Sequence, residues 1–494
     1  MSGGGGGGGG ARAGDPAAYF ADVAATHPRC FWLDGGGARE WSGRRSLVGW
    51  LEPGDVSLSY SAARREVMRH VDGRAEVVGD DVFAVLEAEL AAARDAGRAD
   101  QWFGYLGYAS RPDLPARPST DVPDAVLMRP SHLRLFDHPE PAAVPAAATP
   151  AAVPSAATPA AVPSAATPAA ATPAAVPAPA PPAPPVTPVG PDPHLSADAW
   201  ADRCGFRRPA GETRGGGPTP AYRAAFDRVQ EHLHAGNTYE VNLTHRLEAA
   251  SDLDPVAAYL RLRALNPAPY AGFCQHDVDG ARGWLLSSSP ERYAVVRADG
   301  VIETKPIKGT TPRSPDPAED ERLRAQLATE PRFRAENLMV TDLLRNDLSM
   351  VCEPGTVEVP QLMAVESYAS VHQLVTTVRG RLREGVGTVE ALRALFPAGS
   401  MTGAPKLRTM QVVEEVEATA RGAYAGAFGW VAADGRADLG VVIRSLTTTG
   451  DGRYRLGTGG GVTVHSDVDS EWAETQVKAE RLLRVLGQEF DGVS

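Results

Sequence analysis

Long apolar runs are missing from this chain of 494 residues. No stretch approaches the roughly 18–20 apolar residues that a bilayer-crossing helix needs, so no membrane span is expected. An excess of basic charge is missing too, because 49 Lys and Arg stand against 61 Asp and Glu, a formal net charge of −12. That balance opposes non-specific binding to nucleic acid and points to a soluble, cytoplasmic protein. Cysteine is scarce. Cys30, Cys204, Cys274 and Cys352 are widely separated with no C-x-x-C pair. Neither a disulfide framework nor a zinc site is expected, in keeping with a reducing compartment. The opening residues, MSGGGGGGGGARAGDP, lack the apolar stretch of a secretory signal, and residues 1–16 read as a disordered Gly-rich tail.

Alanine and proline, by contrast, are concentrated in one place. Residues 138–218 form a spacer and connection, of which 139–193 are nearly all Ala, Pro, Val and Thr, with the near-repeat AAVPSAATP. Frequent proline blocks both helix and sheet, so a semi-rigid, polyproline-like arm is expected, dispensable for any chemistry. Residues 17–137 mix the strand-like runs RCFWLDG, SLVGWL and WFGYLGY with the helix-like DVFAVLEAELAAARDAG. Residues 219–490 open on a helical pattern stopped by Gly236, then alternate strands, glycine turns and amphipathic helices. This is the pattern of an α+β domain.

One hairpin is unusually legible. ERYAVVRADGVIETKPIK, residues 291–308, is two β-prone runs separated by Asp299-Gly300. Asp-Gly between such runs favours a two-residue turn with positive φ. With that loop Ala298 faces Val301 and Glu291 faces Lys308, which puts a carboxylate beside an amine. Pro306 has no amide to donate, so this end should lie at an edge or a bulge. By spacing alone the pair reads equally as a surface salt bridge. As chemistry, it reads as a desolvated, deprotonated lysine nucleophile beside a protonated acid.

The motifs around the hairpin resemble those of the chorismate-utilising enzymes. They are SSSPERY, KPIKGTTPR, RAENLMVTDLLRNDL, VHQLV, FPAGSMTGAPK, RGAYAGAFGW, VVIRS, GTGGGV and EWAETQVKAERLL, in the family's order, across about residues 219–490. GYLGY and DVPDAVLMRP extend a weaker resemblance into the region before the spacer. The resemblance implies an α+β fold of large antiparallel sheets packed as a sandwich with helices outside, the N-terminal region associated with the catalytic region. Members that form anthranilate usually carry alanine where this chain has Lys308, whereas members that aminate C4 of chorismate carry lysine. The implied reaction is attack of the Lys308 amine on C2, with Glu291 protonating the departing C4 hydroxyl. Ammonia then enters at C4 and expels the lysine, giving 4-amino-4-deoxychorismate. For attack at neutral pH the lysine pKa should fall well below about 10.4.

The resemblance also implies Mg2+, with Glu336 and Glu474 as ligands and Glu471 beside them. Glu471, Glu474 and Lys478 fall on one helical face, although acidic residues in a first turn also serve simply to offset the helix dipole. Substrate contacts are implied for Gly309, Thr310, Tyr424 and Arg444, and a catalytic place for His372. Taken singly, Arg444 reads as a strand-end arginine, Tyr424 as a half-buried tyrosine and His372 as a satisfied core histidine. Gly459, Gly460 and Gly461 match chorismate-binding glycines and are expected to form a backbone nest for a carboxylate. GSMTGAPK is assigned to building the site, with no chemistry for Lys406.

Glutamine hydrolysis needs a cysteine in a glycine-flanked elbow, and RCF, RCG, FCQ and VCE are not that setting. Ammonia is therefore expected from a separate glutamine amidotransferase subunit, or free in solution. Members that add water to chorismate carry a general-base lysine where this chain has Glu240. An anthranilate-forming enzyme and a non-catalytic scaffold are the competing readings, the first disfavoured by Lys308 and the second by the full set of charged residues.

Overall fold

Four helices begin the same way, with a capping side chain followed at once by proline. Asp15, Thr219, Asp254 and Asp316 accept hydrogen bonds from the first turns of Pro16–Thr26, Pro220–His234, Pro255–Leu265 and Pro317–Thr329. Proline's fixed φ suits that first position, where its missing N–H costs nothing. These elements belong to a computed structural model that describes residues 15–35, 45–138, 217–368 and 371–487. Residues 1–14 of the Gly-rich tail, residues 139–216 of the spacer and Cys204 lie outside the described residues.

The strands form two antiparallel sheets. The first has nine, in the order 403–404, 240–250, 453–462, 445–448, 283–289, 270–276, 29–34, 45–50 and 132–137. The second has twelve, running from 307–312 through 371–381, 301–305, 292–296, 437–441, 427–432, 101–106, 125–129 and 56–61 to 66–71 and 74–79, with 358–367 added on 371–381. Strands from before and after the spacer pair in both sheets: Phe31 lies opposite Cys274, and Gly104 opposite Gly429. A side chain at Gly104 would stand 2.0 Å from the carbonyl oxygen of Val126, so glycine is needed for that close approach.

The faces between the sheets are apolar. Phe31 of the first stacks on Phe103 of the second at 4.3 Å, within a cluster that includes Tyr105, Met128, Leu285 and Phe428. Burying one such side chain contributes about 1.5–3 kcal/mol. The outer face of the first sheet packs against Pro16–Thr26, Pro255–Leu265 and Val468–Val485. The expected α+β sandwich with outer helices is what forms. Among the described residues no helix is long and apolar enough to cross a membrane.

The hairpin differs from the expected register. Val296 pairs with Ile302 and Val295 with Glu303, while the Arg297 N–H donates to the Val301 carbonyl. The loop thus holds three residues, Ala298, Asp299 and Gly300, with Gly300 at φ 77°. A glycine in the left-handed region closing a three-residue loop is a common hairpin alternative, and it shifts every pair by one. A further irregularity sets Arg292 opposite Lys305. Glu291 and Lys308 are therefore not a cross-strand pair.

Candidate active site

After Pro306 the chain stays on the same neighbour. Residues 301–305 and then 307–312 pair with successive parts of 371–381, and the Pro306 carbonyl accepts from the Thr376 N–H at 3.2 Å. The register breaks between Ile307 and Thr310, where Gly309 takes φ 98°. Lys308 lies in this bulge and is only 8% exposed. Its Nζ donates to Oε1 of Glu240, itself 2% exposed, on the neighbouring sheet's strand Glu240–Ala250. Gly461, opposite Asn242, leaves the space they use: a Cβ there would lie 2.3 Å from Glu240 Oε1 and 3.1 Å from Lys308 Nζ.

The charge on Lys308 departs from expectation. Burial alone would lower its pKa, but the carboxylates of Glu240, Glu336 and Glu291 outweigh it and hold the amine above the ordinary lysine range. The deprotonated lysine expected from desolvation is thus not its resting form. Proximity to carboxylates governs the state; the resemblance put Glu240 at a base position of the family but did not show that it touches Lys308.

Glu291 is close enough for its charge and that of Lys308 to act on each other. It precedes the strand Arg292–Val296, and its carboxyl is bonded by the Ser400 hydroxyl and the Ile307 amide. Burial pushes it up to about 7, against the pull of Ser400, Lys308 and Ile307. A carboxyl so placed divides between its protonated and ionised forms near neutral pH, where an ordinary glutamate is fully ionised. The cavity at its side, of about 10 Å³, is bounded by Thr304, Pro306, Leu344, Ala398 and Ser400.

A second group of acids lies beside the first. The helix Pro331–Ser349 carries Arg332 and Glu336, and Val468–Val485 carries Glu471, Glu474 and Lys478. Arg332 donates to Glu336 at 3.1 Å and to Glu471 at 2.7 Å, and Lys478 pairs with Glu474 at 2.7 Å. Burial raises the Glu336 carboxyl, and burial with the neighbouring Glu474 raises Glu471 to about 7. Burial acts likewise on Glu474, but Lys478 prevails and holds it low. Among the described residues no cluster of three or more acidic, His or Cys side chains converges as a ready metal site. Two features nonetheless suit a hard cation. Glu471 Oε2 is buried without a hydrogen-bond partner, and a Cβ on Gly460 would come within 2.9 Å of it and 3.9 Å of Glu474 Oε1. Bare backbone beside oxygen donors leaves room for an ion that keeps its waters.

The glycine run is not a nest. Gly459, Gly460 and Gly461 are extended within the strand Arg453–Val462, paired with Thr244, Leu243 and Asn242. None has the positive φ that a nest of successive amides needs. Gly460 and Gly461 keep side chains away from the carboxylates and Lys308, while Gly459 allows close approach to the Leu243 carbonyl and Thr244. Lys478 also donates to the Gly459 carbonyl at 2.7 Å.

Arg444 has φ 51°, a left-handed conformation that costs a non-glycine residue energy, and forms no side-chain hydrogen bond or ion pair among the described residues. Burial, with Arg481 nearby, lowers its pKa. Tyr424 packs over Gly457, with the Arg246 guanidinium 4.6 Å from its ring, and lines a cavity of about 250 Å³. Thr310 pairs with Gln373 at the bulge. His372 is buried with both ring nitrogens engaged, by Ser367 at 2.7 Å and Asp320 at 3.1 Å, and no hydrogen bond joins it to Lys308 or Glu291. Lys406 is structural, paired with Asp347 at 2.7 Å and donating to the Leu395 and Pro397 carbonyls. Arg332 was not expected here. Glu240 stands at the position where water-adding members carry a base, and Ser400 lies in GSMTGAPK, assigned to building the site. Neither was expected to bond Lys308 or Glu291. Glu240, Asn242 and Thr244 alternate with Val241 and Leu243, a pattern that reads as a solvated face, yet all five are buried.

Comparison with known proteins identifies the family. Residues 29–484 match the family described as chorismate binding enzyme. Over 275 residues the chain is 48% identical to an aminodeoxychorismate synthase of Streptomyces pristinaespiralis, covering 56% of this chain and 38% of that protein. Over 260 residues it is 42% identical to anthranilate synthase component 1 of Streptomyces coelicolor, covering 52% and 50%. The chain thus spans half or less of the length of these relatives. The crystal structure of anthranilate synthase component I from Streptococcus pneumoniae has the same fold, with a TM-score of 0.63 at 22% identity, covering 90% of this chain and 93% of that one. With a match running across both sheets, the chain belongs to the chorismate-binding enzymes.

Proposed function

We propose that this chain converts chorismate and ammonia to 4-amino-4-deoxychorismate, the precursor of 4-aminobenzoate, through a covalent bond to Lys308. The observation that carries the reading is a buried amine, Lys308, close enough to the buried Glu291 carboxyl for each to act on the other's charge, with burial raising the carboxyl to about 7. A tethered amine meets the ring at high effective concentration, and an acid with a pKa near 7 delivers a proton to the C4 hydroxyl as it leaves. Arg444 is available for a substrate carboxylate in bidentate fashion, Tyr424 for a hydrogen bond, and Gly309 and Thr310 shape the wall next to Lys308. His372 acts at most through the shape of the strand Val371–Arg381, its ring being occupied by Ser367 and Asp320.

Glu336 and Glu474, with Glu471, would hold Mg2+, which supplies positive charge to a carboxylate of the substrate. Ammonia is expected from a separate glutamine amidotransferase subunit or free in solution, the settings RCF, RCG, FCQ and VCE not being those of a glutaminase cysteine. A relative of this chain is itself called a component.

That relative, an anthranilate synthase, favours a second reading, formation of anthranilate. Lys308 weighs against it, as does the greater identity to the aminodeoxychorismate synthase. The test is to incubate the purified chain with chorismate, Mg2+ and an ammonium salt. The C4 amine is expected. Anthranilate would select the second reading, and no product would indicate a non-catalytic subunit. Lys308→Ala should lose the covalent route; unchanged kinetics in that variant would remove the mechanism.

A further inference from the structure

A lysine held as an ammonium ion has no lone pair with which to attack, so a nucleophilic Lys308 needs a proton acceptor. The acidic groups that act on it come from three directions: Glu240 from the strand Glu240–Ala250, Glu336 from the helix Pro331–Ser349, and Glu291 ahead of the strand Arg292–Val296. Among the described residues, Glu240 alone bonds Nζ. Glu291 is bonded by Ser400 and Ile307 and forms no hydrogen bond to Nζ, while Glu336 is paired with Arg332. Lys478 stands farther off, on Glu474 and the Gly459 carbonyl.

We propose that Glu240 is the catalytic base of this site: it takes the proton of the Lys308 ammonium when chorismate is bound and returns it when the lysine is expelled. The inference rests on the covalent-lysine reading above. Transfer within the pair breaks an N–H bond and forms an O–H bond without changing the pocket's net charge, so no unpaired ion is buried. The freed amine then forms the Nζ–C2 bond as the ring double bond shifts and the C4–O bond breaks, the hydroxyl leaving as water with the Glu291 proton. Ammonia forms the C4–N bond, the shift reverses and the Nζ–C2 bond breaks, returning a neutral amine to Lys308. The new C4 ammonium reloads Glu291, and Glu240 hands its proton back to Lys308. The sum is chorismate plus ammonia giving the C4 amine plus water.

The geometry serves this role in two further ways. Both oxygens of Glu240 are inside the protein, away from bulk water that would compete for the proton. Gly461 leaves the two side chains in contact where any larger residue would part them.

The experiment measures the covalent adduct directly. Enzyme is mixed with chorismate and Mg2+ without ammonia, quenched, and weighed as intact protein at pH 6, 7, 8 and 9. In the unaltered enzyme the adduct should form quickly, and in Lys308→Ala not at all. Glu240→Gln keeps the volume and the hydrogen bond to Nζ but cannot accept a proton. Its adduct should form roughly a hundredfold more slowly at pH 7 and accelerate steadily with pH, hydroxide replacing the missing base. Glu240→Asp should be slowed less and keep the pH dependence of the unaltered enzyme. Adduct formation by Glu240→Gln at the unaltered rate would overturn the assignment. Identical rates and pH profiles for the Asp and Gln variants would also overturn it, since that is the signature of shape alone. If the unaltered enzyme forms no adduct and no C4 amine, the covalent reading itself fails.

Discussion

Arg332 reaches Glu471 across 139 residues of sequence, at 2.7 Å from Oε1, while the other oxygen of Glu471 faces the bare backbone of Gly460. The arginine also holds Glu336, so a cation of the protein already neutralises two of the proposed Mg2+ ligands. A metal bound by the same carboxylates competes with that charge. Arg332→Gln should therefore bind Mg2+ more tightly in the absence of chorismate. The gain should be roughly two- to fivefold, the equivalent of a partly exposed ion pair. Calorimetric titration measures it, and an unchanged or weakened affinity would show that these carboxylates do not share the ion with Arg332.

The acid at Glu291 gives the reaction a pH limit. Its pKa is raised to about 7, so the proton is present below that value and lost above it. The kcat/KM for C4 amination, which reports the free enzyme, should fall about tenfold per pH unit beyond the limit. Glu291→Gln should abolish that limb and reduce kcat/KM roughly 10²- to 10⁴-fold across the range. A profile flat from pH 6 to 9 in the unaltered enzyme would exclude Glu291 as the acid.

Much of the fold was legible because alternating runs and glycine or proline stops are local signals. The register of one hairpin was not, since Asp299-Gly300 fits a two-residue loop as well as the three-residue loop with Gly300 at φ 77° that forms. The site divides along the same line. Lys308, Glu291 and the acids of two helices could be named from their motifs, and they are near one another. The contact that sets the state of Lys308 was not legible, although the resemblance marks position 240 as a base position in other members. Glu240 reaches it through a contact 68 residues long in sequence, from a strand whose polar positions look like a surface. The glycine run was misjudged for the same reason. Whether GTGGG turns or extends is decided by the strand Glu240–Ala250, which lies more than 200 residues earlier.

Gly461 makes a separable prediction. Its backbone is extended, so alanine carries no conformational penalty there, but the new methyl would lie 2.3 Å from Glu240 Oε1 and 3.1 Å from Lys308 Nζ. One of the two side chains must move. Gly461→Ala should lose at least about tenfold in C4 amination while costing about 1–3 kcal/mol in stability, the usual range for overpacking. Steady-state kinetics beside a thermal melt separate the effects. Full activity in a folded variant would mean that the contact between Glu240 and Lys308 is not used.

Stability should depend heavily on one ion pair far from the surface. Arg421 is bonded to Glu417 by Nε at 3.0 Å and by Nη2 at 2.7 Å, with both side chains almost wholly buried. The remaining capacity is taken up as well. Arg421 donates to the carbonyls of Met401 and Asn242 and lies 4.5 Å over the Tyr108 ring, while Glu417 accepts from the Thr244 amide and hydroxyl. The pair thereby ties the strand Glu240–Ala250 to segments near residues 401 and 108. Glu417→Ala leaves a buried guanidinium without its counter-charge and should cost about 3–5 kcal/mol, seen as a lower denaturant midpoint and Tm. Arg421→Met together with Glu417→Leu removes both charges and should recover much of that loss, because well-packed apolar groups often replace a buried pair at little net cost. If the double variant is as unstable as the sum of the single variants, the two residues are not coupled, and the pair is not what fixes this end of the strand.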